Sequence, residues 1–128
     1  MKTGYKALIA AAEAEIETIS PQEAQRLHAE AAVQFVDLRD RRELERDGRI
    51  PGAFHCPRGM LEFWIDPESP YHKPVFAADR KFVFYCASGW RSALGAKTAQ
   101  DMGLDAVAHI GGGFGAWREA GGVTETVA

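Results

Sequence analysis

Residues 81–102 limit what this chain can fold into more than any other stretch. The apolar run Lys81-Phe82-Val83-Phe84-Tyr85 passes directly into Cys86-Ala-Ser-Gly-Trp-Arg91-Ser92, and from there into a segment ending at Met102 in which Ala93, Gly95, Ala96 and Ala99 are small. A short apolar run, a turn containing glycine and a following helix-forming stretch predict a strand, a tight loop and a helix over Ser92–Met102. Small side chains let such a helix lie close against a sheet, and Gly103 offers a C-terminal cap. The thiol of Cys86 then stands at the strand tip, before a helix start whose unpaired N–H groups and dipole favour an anion. A cysteine in that setting is expected to be a reactive thiolate. Arg91 adds a fixed positive charge with planar donors suited to an oxyanion.

The rest of the chain alternates in the same way. Residues 5–15 predict a short helix, within an N-terminal extension over 1–15, and residues 16–19 a brief strand. Ser20-Pro21-Gln22-Glu23 is a helix start, with serine as cap, proline at the first position and glutamate three residues on; the helix is expected to run to about Ala31. Val33–Asp37 reads as a buried strand ending in a carboxylate, and Asp40–Arg46 as a polar helical turn stopped near Gly48. A third strand, Ala53–His55, follows the Ile50-Pro51-Gly52 turn. Residues 57–80 are the least regular, with a helical piece around Met60–Ile65 and the aromatics Phe63, Trp64, Tyr71 and Phe76 to pack them. A last strand, Ala106–Ile110, runs into Gly111-Gly112-Gly113 and a short helix through Trp117. Strands alternating with helices predict an α/β fold, a five-stranded, mostly parallel sheet flanked by helices on both faces. Ligands of such sheets sit beyond the carboxyl ends of the strands, where Asp37, Cys56, Cys86 and Gly111 all fall.

Composition excludes several classes. The 128 residues suit one domain over 1–128. A net charge of −3, from 15 basic and 18 acidic residues, leaves no footprint for nucleic acid. Arg39, Arg41, Arg42, Arg46 and Arg49 cluster, but acids interleave with them, which reads as a solvated helix face. Two cysteines, Cys56 and Cys86, exclude a secreted disulfide framework. The apolar residues Ala7–Ala12 turn acidic too soon for a signal peptide, and no stretch is apolar enough to span a membrane. The expectation is a cytoplasmic protein with free thiols and no membrane partner. His55, His72 and His109 with the two cysteines do not give metal-ligand spacing, so no metal is expected.

From about Ile16 to Val123 the chain resembles the single-domain rhodaneses, the thiosulfate sulfurtransferase family, and four blocks in order carry the likeness. They are Asp37-Leu38-Arg39 with Glu43, Gly48-Arg49-Ile50-Pro51-Gly52-Ala53, the loop Cys86–Ser92, and Gly112-Gly113-Phe114-Gly115-Ala116-Trp117. Arg49 stands where the family usually has histidine, and one extra residue separates Glu43 from Gly48. Both departures touch a structural turn.

The resemblance implies a rhodanese-like fold and a sulfurtransferase working by double displacement. Cys86 would take the outer sulfur of a donor such as thiosulfate as a persulfide and pass it to a thiol or cyanide. No cofactor is implied, and a protein sulfur acceptor is a further candidate partner. The loop residues Ala87, Ser88, Gly89, Trp90, Arg91 and Ser92 would bind the anion, with the N–H groups of residues 87–91 turned inward. Gly89 would allow the tight curvature, and Ser92 would cap the next helix and reach the persulfide. Asp37 and Arg39 are expected to support the site, the Asp37 carboxylate either accepting backbone hydrogen bonds near the loop or pairing with Arg39; a general-base role for Asp37 is the lesser reading, because a low-pKa thiolate needs no base. Cys56 as a second, resolving thiol is disfavoured, because the family's strand order sets a strand between it and Cys86. Trp117 is expected in the core, Trp64 on the long segment and Trp90 at the pocket mouth. Four residues separate Cys86 from Arg91, where the related phosphatases and arsenate reductases use five, which favours sulfur over a tetrahedral oxyanion. A sulfur-carrier module with little turnover of its own is the alternative, since the loop is weakly basic.

Overall fold

The computed structural model describes residues 1–128. In chain order the elements are α1 (Tyr5–Glu13), β1 (Glu17–Ile19), α2 (Pro21–His28), β2 (Val33–Asp37), α3 (Arg41–Asp47) and β3 (Phe54–His55). There follow α4 (Leu61–Ile65), β4 (Lys81–Tyr85), α5 (Trp90–Met102), β5 (Val107–Ile110) and α6 (Gly113–Glu119). The five strands form one sheet in the order β1-β5-β4-β2-β3, with every neighbouring pair parallel. The sheet is therefore fully rather than mostly parallel, and β4 lies at its centre.

Alternation along the strands divides the core into two layers. Phe82 and Phe84 of β4 and Val36 of β2 face one side, packed with Ala93, Ala96 and Ala99 of α5, Leu61 and Ile65 of α4, and Ile9 of α1. Val83 and Tyr85 of β4, Phe35 of β2, and Ala108 and Ile110 of β5 face the other. There they meet Ala24 and Leu27 of α2 and Phe114 and Trp117 of α6. Each fully buried side chain of this size contributes about 1.5–3 kcal/mol.

Local chemistry sets the element ends. Ser20 Oγ accepts from Glu23 N at 3.1 Å and Pro21 opens α2, as the sequence predicts. The helix stops at His28, short of the expected Ala31, because the Ala32 carbonyl accepts from Lys81 N at 2.9 Å and draws the chain into the sheet. Asp40 and Glu43 form a reciprocal capping box at the start of α3.

Residues 57–80 contain α4 and two single 3₁₀ turns, Arg58–Met60 and Pro74–Ala77. Phe54 meets Trp64 and Phe76 edge-on, at 5.9 and 5.8 Å between ring centroids, and so ties the segment to β3. Phe63 and Tyr71, expected to share in that packing, are instead exposed. No helix is long and apolar enough to cross a membrane.

Candidate active site

The carboxyl end of β4 delivers Cys86 to the floor of a loop that α5 closes. Gly89, in the left-handed region at φ 104°, is the N-cap of α5. A Cβ there would meet Gly112 N at 3.5 Å and Ile110 O at 3.9 Å, both ordinary contacts, so what a side chain would cost here is backbone strain rather than space. This turn starts α5 at Trp90, two residues before the expected Ser92. Ser92 therefore does not cap the helix; it lies in its first turn and points inward, fully buried.

Cys86 is 1% exposed. Its Sγ accepts from the backbone N–H of Gly89 at 3.2 Å and of Ser92 at 3.4 Å, and Ser92 Oγ lies 3.6 Å away. Two amides of the loop thus face the sulfur. Ala87, Ser88 and Trp90 form the exposed outer side of the loop. Trp90 stands at the mouth, packed against Tyr5 of α1 at 4.9 Å between ring centroids.

Arg91 reaches sideways to α3. Its two terminal nitrogens donate to the two carboxylate oxygens of Glu43 at 2.8 and 2.9 Å. The sequence offers Arg91 as a donor for an oxyanion and gives Glu43 no role beyond its motif; in the structure the two are paired. Hydrogen bonding by Arg91 holds the Glu43 carboxyl down to about 2, against the opposing effect of burial.

Asp37 and Arg39 form a buried pair, each 1% exposed, with Arg39 Nε and a terminal nitrogen donating to the carboxylate at 3.0 and 2.7 Å. Arg39 also donates to Gly48 O at 2.9 Å and lies over the Phe114 ring at 4.3 Å. It therefore leaves the solvated arginine face predicted from the sequence and ties the β2–α3 turn to α6. Breaking one partner of such a pair leaves an uncompensated buried charge.

Cys56 sits at the end of β3, with β2 between it and the strand that carries Cys86. Burial pushes its thiol up to about 12, with Arg58 opposing, so it stays protonated. Both cysteines are free. His109 is the residue the sequence reading missed: it is buried at the end of β5, with Nδ1 2.9 Å from Ser92 Oγ. A histidine facing inward at a strand's carboxyl end was the available signal. No three His, Cys, Asp or Glu side chains stand close enough together to hold a metal ion. A cavity of about 580 Å³ opens at the opposite end of the sheet, around Val33, Phe82 and Ala106, away from the sulfur.

A model of the rhodanese-like domain matches residues 20–120. Among curated proteins, the thiosulfate sulfurtransferase GlpE of Shewanella oneidensis is 34% identical over 89 residues, 70% of this chain and 79% of that protein. An uncharacterized protein of Synechocystis is 31% identical over 104 residues, 81% of this chain, and the match spans only 53% of that protein. Among solved structures, a Rhodopseudomonas palustris protein of unknown function, described as a possible tyrosine phosphatase, is 62% identical with a TM-score of 0.96. That likeness covers 98% of this chain and 96% of the other.

Proposed function

The chain belongs to the rhodanese-like domain family, and from that premise we propose that it is a sulfurtransferase carrying sulfur on Cys86. The observation that carries this reading is the pair of backbone N–H groups, from Gly89 and Ser92, aimed at a sulfur at the tip of the central strand. Such donors stabilise an anionic sulfur without any reorganisation during reaction. The similarity to a protein named thiosulfate sulfurtransferase supports the same chemistry.

In the proposed reaction the Cys86 thiolate attacks the outer sulfur of thiosulfate. The S–S bond of the donor breaks, sulfite leaves with the bonding electron pair, and Cys86 holds a persulfide. A thiolate or cyanide then attacks the terminal sulfur and Cys86 departs as thiolate, restoring the enzyme. The loop from Ala87 to Ser92 surrounds the transferred sulfur, while Asp37 and Arg39 hold the neighbouring turn. The sulfur is carried covalently and no cofactor takes part. Two free thiols suit the reducing cytoplasm.

One observation favours a second emphasis. Because Glu43 engages both terminal nitrogens of Arg91, the loop offers less free positive charge to a small dianion. A protein that donates or receives sulfur directly would then turn over faster than thiosulfate and cyanide. The possible phosphatase similarity is opposed by the same ion pair and by the four-residue spacing from Cys86 to Arg91.

Incubation with thiosulfate should add the mass of one sulfur atom to the wild type and nothing to Cys86→Ser. Equal labelling of both would remove Cys86 from the reaction. Phosphate release from an aryl phosphate, lost in Cys86→Ser, would replace sulfur transfer by the phosphatase reading.

A further inference from the structure

Behind the sulfur loop, a row of polar side chains runs through otherwise apolar packing. Ser92 Oγ lies between Cys86 Sγ at 3.6 Å and His109 Nδ1 at 2.9 Å. On the far side of the ring, Nε2 lies 3.1 Å from Thr18 Oγ1. Thr18 on β1 and His109 on β5 are direct register partners in the sheet, so the backbone itself sets this spacing. Cys86, Ser92 and His109 are each 1% exposed or less, while Thr18 lies at the surface. No water is needed to connect the four groups, since each consecutive pair is already within reach.

We infer that His109 is a positioning residue of the sulfur site: through Ser92 it directs a hydroxyl proton onto the Cys86 sulfur and so favours the thiolate. The inference deepens the sulfur-transfer reading, on which its consequence for turnover rests; its effect on ionisation does not depend on that reading.

One proton decides the effect. A serine hydroxyl has a single hydrogen to give and can accept from others. Inside a helix it commonly gives that hydrogen to a backbone carbonyl of the preceding turn. His109 opposes this. When Thr18 donates to Nε2, the imidazole proton sits on Nδ1 and is donated to Ser92 Oγ. The Ser92 hydrogen is then left for the sulfur, and each donor in the row polarises the next. The charged and titratable groups facing this row are few. Glu13 of α1 has a carboxylate oxygen 3.8 Å from Nε2, beyond hydrogen-bond reach, so it acts on the ring through its field and Thr18 is the group within hydrogen-bond distance of that nitrogen. Arg91, beside the loop, is engaged by Glu43. Burial holds His109 below the ordinary histidine value, with Glu13 opposing, so the ring stays neutral and has a single N–H to give.

The test is a titration of the Cys86 thiol by ultraviolet absorbance. Cys56→Ala serves as the background, so that one thiol is read, with folding checked by circular dichroism. His109→Leu should raise the midpoint by about one pH unit, a loss of roughly tenfold in thiolate below it. His109→Asn, whose amide nitrogen can take the place of Nδ1, should recover most of that shift. In a Ser92→Ala background, His109→Leu should cause no further change, because the group it acts through is gone. An unchanged midpoint in both His109→Leu and His109→Asn would overturn the inference. So would a His109→Leu shift that persists undiminished without the Ser92 hydroxyl. If His109→Leu fails to fold, His109→Gln stands in for it, because its amide nitrogen takes the place of Nε2 rather than Nδ1 and leaves Ser92 without the donor: a raised midpoint in the Gln variant beside an unchanged one in the Asn variant supports the inference, and an unchanged midpoint in both overturns it. Persulfide mass on the same proteins reports separately on sulfur transfer, so either reading can fail without the other.

Discussion

Glu43 controls how much positive charge the loop can offer. Its carboxylate takes both terminal nitrogens of Arg91 while also accepting from Asp40 N at 2.9 Å, so one side chain closes the α3 cap and restrains the loop arginine. Glu43→Gln keeps an acceptor for the cap, since glutamine serves in capping boxes as well, but removes the charge that binds Arg91. Under the proposed sulfur-transfer reading, steady-state kinetics with thiosulfate should show a KM several-fold lower in Glu43→Gln. Arg91→Ala, which leaves an unpaired carboxylate beside the loop, should raise KM about tenfold. A KM that moves in the same direction in both variants would show that the pair does not govern donor binding.

At the scale of elements, α6 clamps the base of the loop. The first N–H groups of that helix lack partners of their own; here Phe114 N donates to Cys86 O at 2.8 Å and Gly115 N to Ala87 O at 3.2 Å. The approach is close enough to require glycine at position 113. A Cβ there would stand 2.6 Å from Cys86 O and 2.7 Å from the Ala87 carbonyl, on a backbone at φ 63°. Gly113→Ala should therefore cost about 2 kcal/mol or more in denaturant unfolding and, under the proposed sulfur-transfer reading, slow persulfide formation, because the only relief is to displace the loop. Gly115→Ala is the control. Its Cβ would rest 3.6 Å from Ala87 O, an ordinary contact, and stability should hold or rise slightly. Equal losses in the two variants would show that the clamp is not the cause.

For the molecule as a whole, two shielded groups tie stability to pH on the acid side. Burial depresses His109, opposed by Glu13, so the fold holds the ring neutral while the unfolded chain protonates it below about 6.5. Stability from this source is complete above that value and declines as pH falls through the lower folded value. Glu43 is depressed from 4.5 to about 2, chiefly by its hydrogen bond to Arg91. Its contribution is complete above 4.5 and is lost as pH falls toward 2. With Arg91 partly exposed, the pair is worth on the order of 1 kcal/mol. Thermal midpoints should fall in two stages, the upper removed by His109→Asn and the lower by Glu43→Gln. A midpoint independent of pH between about 7 and 5 would rule out the histidine contribution.

Strand identity, the start of α2 and the place of Cys86 at a strand tip were all readable locally. Val33–Asp37 and Lys81–Tyr85 have the boundaries that alternation and flanking turns predict, and Ser20-Pro21 starts its helix where its chemistry demands. These features depend on residues within a few positions of one another, so a linear reading suffices. The loop's partners were not readable, because they come from distant chain segments. Glu43 is 48 positions from Arg91 and His109 is 17 from Ser92, and nothing local orients one toward the other. Only the strand order, which puts β5 beside β4, and the register, which sets Thr18 opposite His109, bring the row together. The shift of the α5 start from Ser92 to Trp90 was of the same kind. Gly89 could adopt its left-handed turn in many settings, and packing against Gly112 and Ile110 selected this one. The short-range code chose the place of Cys86 and the helix behind it; sheet assembly, a long-range event, chose the groups that surround its sulfur.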